Sequence, residues 1–185
     1  KAMEELGLIN PTYQKIERLL LAGLDSLIIS LEGVCSETND YIRGDGTFEK
    51  VEEGLRIIKK VFEDYGTSFR LVLEYTINKK NILESNSLID YLNKQMFEVV
   101  NIGSINPVGE ARKNVEIIPK GEDVHTFING VIAKYKRNSE FRYAIFSKSL
   151  YPYEIIHMNT YSETNLTFAT LGCSIRSGEY VLGTD

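Results

Sequence analysis

The chain has 185 residues, 43% of them hydrophobic, and a formal net charge of −5. That length supports one domain with a real core and excludes two large ones, while the acidic balance speaks against a nucleic-acid or anionic-membrane surface. No apolar run reaches the roughly 20 residues that a bilayer span needs, and the opening Lys1-Ala-Met-Glu-Glu lacks the apolar core of a signal peptide, so the chain reads as soluble and cytoplasmic. The two cysteines, Cys35 and Cys173, are too few for a disulfide framework.

Asn10-Pro11 is a good helix start, since Asn caps free amides and Pro is tolerated in the first turn. Ile16, Leu19 and Leu20 then carry an apolar face to a stop at Gly23. Residues 27–31 form a short apolar run of strand type between Asp25 and Gly33. A polar loop follows. Phe48, Val51, Leu55, Ile58 and Phe62 recur at helical spacing and end near Gly66, which predicts an amphipathic helix. Residues 69–77 read as the next strand, 81–96 as a helix and 99–105 as a third strand. Val124, Phe127, Ile128, Val131, Ile132 and Tyr135 mark a further helix, and residues 142–147 a fourth strand.

Strands alternating with helices of this length predict an α/β fold of parallel βαβ units. Successive strand residues point to opposite faces of a sheet. Leu27, Ile29 and Leu31 therefore share one face, and Ile28, Ser30 and Glu32 the other. In the second strand Phe69, Leu71, Leu73, Tyr75 and Ile77 lie opposite Arg70, Val72, Glu74, Thr76 and Asn78. One face is apolar, and the other turns polar toward the carboxyl end. That pattern fits a curved sheet or barrel with helices outside and a site at the carboxyl ends of the strands; an edge strand with one wet face produces the same alternation. Asn101 and Gly103 in the third strand, and Ser104-Ile-Asn-Pro-Val-Gly109 after it, favour the site.

Six pieces recur in a set order: Leu21-Ala-Gly-Leu-Asp-Ser26, Ile29-Ser-Leu-Glu-Gly33, Ile42-Arg-Gly44, Thr47-Phe-Glu-Lys-Val-Glu-Glu-Gly-Leu55, Tyr75-Thr-Ile-Asn-Lys-Lys-Asn81 and Asn106-Pro-Val-Gly-Glu-Ala-Arg112. Together they resemble the middle of a radical S-adenosylmethionine enzyme of the peptide-maturase and sulfatase-maturase type. The resemblance implies the later part of an incomplete (β/α)6 TIM-like barrel over residues 1–150. It also implies bound S-adenosylmethionine, a [4Fe-4S] cluster, and a peptide or protein substrate. Such enzymes hold the cluster on a Cys-x3-Cys-x2-Cys loop, and these residues contain none. The chain is therefore expected to be part of an enzyme and inactive alone.

Carried over residue by residue, Ser30 matches the family serine that contacts the methionine part of the cofactor, a role that a hydroxyl facing a lumen can fill. Glu32 stands where Asp is commoner, and either holds a ribose hydroxyl or amino group or caps the following turn. Arg43 falls near the family arginine that pairs with the cofactor carboxylate, where a planar fork suits bidentate binding; as Arg-Gly in a polar loop it reads equally as a loop anchor or a surface charge. Asn78, Asn101 and Glu74 join the cofactor-binding candidates on strand direction alone. Residues 151–185 read as a linker and the opening of a SPASM or twitch extension, with Cys173 an auxiliary-cluster ligand separated from its partners, or else a small buried hydrophobe. Cys35 matches no family ligand.

His125 and His157 have no helical ligand spacing, which speaks against a mononuclear metal site. Walker, G-x-G-x-x-G and G-x-S-x-G motifs do not occur. A second reading, in a different class, is an α/β ligand-binding module or small barrel enzyme with phosphate or carbonyl chemistry. It would hold its ligand at residues 78–81 and 106–109.

Overall fold

The computed structural model describes residues 12–105, 109–137 and 144–148. In chain order the elements are helix α1 (Tyr13–Leu21), strand β1 (Ser26–Leu31), helix α2 (Ser36–Arg43), helix α3 (Thr47–Tyr65), strand β2 (Arg70–Ile77), helix α4 (Ser85–Lys94), strand β3 (Val99–Ser104), two 3-10 turns (Gly109–Arg112 and Val115–Ile117), helix α5 (Gly121–Arg137) and strand β4 (Ala144–Lys148). The alternation of strand and helix expected from the sequence is present. What the described residues form is an open four-stranded sheet, not a closed barrel.

All strand pairs are parallel, in the order β1-β2-β3-β4. Right-handed crossovers that step in one direction place their packing helices on one face, and α1, α3, α4 and α5, but not α2, contribute to a core on that face. The core has that composition: Leu31, Leu73, Tyr75 and Ile102 from the strands cluster with Ile16 of α1, Ile58 of α3, Leu88 of α4 and Phe127 of α5. Ile28, Val72 and Val99, on the other face, stand outside this cluster, and Ile28 is 57% exposed. Tyr75 stacks on Phe127 with ring centroids 5.9 Å apart, which seats the central strand on α5.

Two expectations about local structure change. Helix α1 is capped by Thr12, whose hydroxyl accepts the Lys15 N–H at 3.4 Å, whereas the expected start at Asn10-Pro11 lies outside the described residues. The segment read as a polar loop after β1 is helix α2. Side-chain hydrogen bonds hold it in place of an apolar stripe. Asn39, fully buried, accepts the Glu32 N–H at 3.1 Å and donates to Asp40 and Thr47.

Asp40 then starts the next helix. Gly46, with φ at 73°, leads into α3 without a side chain to cap it, and a left-handed residue there is most readily glycine. The Asp40 carboxylate takes over the capping role by accepting the N–H groups of Gly46 and Phe48, each at 2.8 Å, and the Thr47 hydroxyl at 2.9 Å. Desolvation works to raise the Asp40 carboxyl; the Phe48 N–H, Asn39 amide, Thr47 hydroxyl and Gly46 N–H outweigh it and hold it down to about 2. A carboxyl whose folded value lies below its unfolded value near 4 stabilises the fold above that value and loses this contribution as the pH falls through the folded one. Stability should therefore decline between pH of about 4 and about 2. Urea unfolding across that window should show a shallower decline for Asp40→Asn; an identical slope would show that Asp40 is not the titrating group.

Candidate functional site at the carboxyl ends of the strands

Register brings the predicted residues together in two groups. The first is a polar row across the face opposite the helices: Ser30 pairs with Glu74, and Glu74 with Asn101. Parallel partners at one register position share a face, so three neighbouring strands each contribute one polar side chain at the same height. Asn101 is 8% exposed, and its amide donates to Glu74 Oε1 at 2.8 Å. Below this row lies an apolar one, Ile28, Val72 and Val99. The face therefore turns polar toward its carboxyl end, as the alternation predicts.

The second group stands one step further along. Arg43, in the last turn of α2, places its fork on Glu32: Nε donates to Oε2, and Nη2 donates to Oε1 at 2.9 Å. The Glu32 side chain is 11% exposed and that of Arg43 40%. Burial lowers the Arg43 guanidinium from its ordinary value, and it remains a cation. A guanidinium carries five N–H donors, and Glu32 takes two of them. The remaining donors can meet an anionic ligand without breaking the pair. Glu32 and Arg43, two separate candidates in the sequence, are thus one unit.

Asn78 has a different task. Its amide donates to the carbonyls of Glu32 at 3.2 Å and Thr76 at 3.3 Å, while its Oδ1 accepts the N–H groups of Lys80 at 2.8 Å and Asn81 at 3.3 Å. Both N–H bonds and both lone pairs are engaged, so Asn78 holds backbone. Asn81 does the same, donating to Glu32 at 2.9 Å and Thr76 at 2.8 Å. The loop at 78–81, the ligand-holding element of the second reading, has its amides committed. Residues 106–108 lie outside the described residues.

Sequence reasoning did not find Asn39 or Glu84, and named Asn81 only as the end of a motif and of the ligand-holding loop in the second reading. Asn81 left a signal, because Asn-x-x-Asn directly after a strand marks an Asx turn. Glu84 left none. It accepts the Val34 N–H at 3.0 Å and the hydroxyls of Thr38 at 2.5 Å and Tyr75 at 2.8 Å. Burial, followed by the neighbouring Glu84 carboxylate, pushes the Tyr75 hydroxyl well above its ordinary value, so the hydroxyl stays protonated and donates.

Ser30, the Asn101–Glu74 pair and the Arg43 fork have the donor and acceptor chemistry that the polar, zwitterionic half of S-adenosylmethionine calls for. Among the described residues no group of three or more His, Cys, Asp or Glu side chains is placed to hold a metal ion. Cys35 is free and exposed there, and iron-sulfur clusters take several thiolates. Cys173 and His157 lie outside the described residues, as does the expected extension over 151–185. His125, in α5, has its ring within 3.3 Å of the Asn129 amide. No described helix is long and apolar enough to cross a membrane.

No family model matches the chain. Over 109 residues, 58% of the chain, it is 25% identical to the AdoMet-dependent heme synthase of Methanosarcina barkeri. The matched residues span 30% of that relative. The similarity thus reaches an enzyme named for its dependence on S-adenosylmethionine. It meets the family resemblance at the level of the cofactor and does not extend to the peptide-maturase type.

Proposed function

We propose that this chain supplies S-adenosylmethionine-holding strands and loops of a radical S-adenosylmethionine enzyme that modifies a peptide or protein substrate. The observation that carries the reading is the polar row Ser30–Glu74–Asn101 ending beside the Glu32–Arg43 pair, at the carboxyl ends of parallel strands. In this reading the open sheet is the later part of an incomplete (β/α)6 barrel. The face bearing Ser30 lines its lumen, and residues 151–185 begin a cluster-binding extension that includes Cys173.

Each residue then has a defined share of the work. Ser30 donates its hydroxyl to the carboxylate of the cofactor's amino-acid part. Arg43 meets the same carboxylate with the N–H groups that Glu32 leaves over, and Glu32 fixes the guanidinium plane. Asn101 keeps the Glu74 carboxylate turned toward the lumen as an acceptor for a hydroxyl or ammonium. Asn78 acts through the Glu32 backbone. Bound S-adenosylmethionine, given one electron by the reduced [4Fe-4S] cluster that the resemblance implies, would supply a carbon radical to take hydrogen from the substrate; the protein's part is to orient it and to keep water out.

The test is titration of the full chain with S-adenosylmethionine by calorimetry. Saturable binding is expected, weakened about tenfold in Ser30→Ala, the loss of one neutral hydrogen bond, and by ten- to a hundredfold in Arg43→Gln, the loss of a charged one. Binding that is unchanged in both variants would place the ligand elsewhere and end this reading.

A further inference from the structure

We infer that Glu84, which contributes no atom to the polar row, is the positioning residue that sets where the Arg43 fork stands; this rests on the cofactor reading above. Helix α2 is eight residues long and has no side-chain cap at Cys35. Its two ends are pinned to different elements. At the start, the Thr38 hydroxyl donates to Glu84 Oε1 at 2.5 Å, and the Cys35 thiol lies 3.6 Å from the same oxygen. At the far end, Arg43 grips Glu32. The helix is a strut between Glu84 and Glu32.

Glu84 itself has little freedom. It immediately precedes α4, and its second oxygen accepts the Val34 N–H at 3.0 Å and the hydroxyl of the buried Tyr75 at 2.8 Å. Tyr75 belongs to the central strand and is stacked on Phe127 of α5. Core packing thus fixes the carboxylate, the carboxylate fixes the first turn of α2, and α2 carries Arg43. Charge-assisted hydrogen bonds of this kind are among the stronger ones and are directional, so a misplaced first turn is passed rigidly along a two-turn helix to the guanidinium. On Ser30 and Asn101, whose positions come from the sheet ladder, Glu84 has no such hold.

That difference supplies a readout that a general loss of structure would not give. S-adenosylmethionine carries the carboxylate that Arg43 meets, while 5′-methylthioadenosine shares its adenosine and sulfur and lacks the amino-acid part. Both ligands are titrated into the full chain and into Glu84→Ala, Glu84→Gln and Thr38→Val. Glu84→Ala should weaken S-adenosylmethionine about tenfold and leave methylthioadenosine within about twofold. Glu84→Gln keeps an oxygen for the Val34 N–H and should recover most of the loss. Thr38→Val cuts the link to the helix, together with the hydroxyl's contacts to Cys35, and leaves Glu84 its bonds from Val34 and Tyr75, so it should show the same selectivity even if Glu84→Ala fails to fold. Equal loss for both ligands, or loss for neither, overturns the role given to Glu84 while leaving the cofactor reading standing. If the unaltered chain binds neither ligand, the cofactor reading falls, and this inference falls with it.

Discussion

Gly33→Ala is expected to destabilise the chain by about 3 kcal/mol, at the upper end for overpacking a close contact, and to abolish ligand binding at the site. A methyl group at that position would stand 2.1 Å from Thr38 Oγ1, 2.7 Å from Thr38 Cβ and 2.6 Å from the Asn39 backbone nitrogen. The hydroxyl could rotate away, but Cβ and the backbone nitrogen could not. That nitrogen donates to the Cys35 carbonyl within α2, so relief requires the helix to move as a body. Moving it separates Thr38 from Glu84, Asn39 from the Glu32 N–H, and Arg43 from Glu32. Urea unfolding should show a lower midpoint with an unchanged slope. A stability within about 0.5 kcal/mol of the unaltered chain would mean that α2 does not sit against Gly33 as described.

Gly33 also shows which parts of the site were readable in the sequence. The segment Ser30-Leu-Glu-Gly33 drew attention for its hydroxyl and its carboxylate, and strand periodicity alone put Ser30 and Glu32 on one face, because that periodicity is two and the core side is unbroken Leu27, Ile29 and Leu31. The same alternation put Glu74 on the polar face of the next strand, but the register that pairs Ser30 with Glu74 and Glu74 with Asn101 came only from the structure, because alternation fixes the face of a residue and not its height. The helix that the glycine admits was not readable. Ser36–Arg43 has no apolar stripe, and its stability comes from Asn39, Thr38 and Arg43 bonding to partners outside it. Periodicity detects burial of apolar faces and is blind to a helix held by polar contacts. Glu84 is hidden for a related reason: its partners Val34 and Thr38 lie 50 and 46 positions away, a separation that only the completed sheet closes. For Arg43 three readings stood side by side: cofactor arginine, loop anchor and surface charge. The structure puts it in the last turn of a helix, paired with Glu32, and that pair leaves donors for the first.

Asn81→Leu should produce the other large effect, again about 3 kcal/mol, through unmet polar groups in place of a clash. Asn81 is fully buried and ties together the ends of two strands: its amide donates to the carbonyls of Glu32 and Thr76, and its Oδ1 accepts the Asn78 N–H at 2.8 Å. Leucine nearly matches its volume and fills the space, so the cost is that of the Asn78 N–H left without its partner and of the Glu32 and Thr76 carbonyls each losing one of two amide donors, with about 1 to 3 kcal/mol for a buried group left fully unmet. Asn78→Ala removes a second donor from the same two carbonyls. The two asparagines therefore share acceptors and also bond each other, and the energies should not add: after Asn81 is lost, the turn that orients Asn78 is lost too, so the double variant should cost at least about 1 kcal/mol less than the sum of the singles. Additive costs would mean that the two amides hold the Glu32 carbonyl independently. The same pair of variants reports on the site, because the Glu32 carbonyl is the backbone end of the residue that Arg43 grips. Loosening it should weaken S-adenosylmethionine in both single variants and more in Asn81→Leu, whose shorter contacts carry more of the hold.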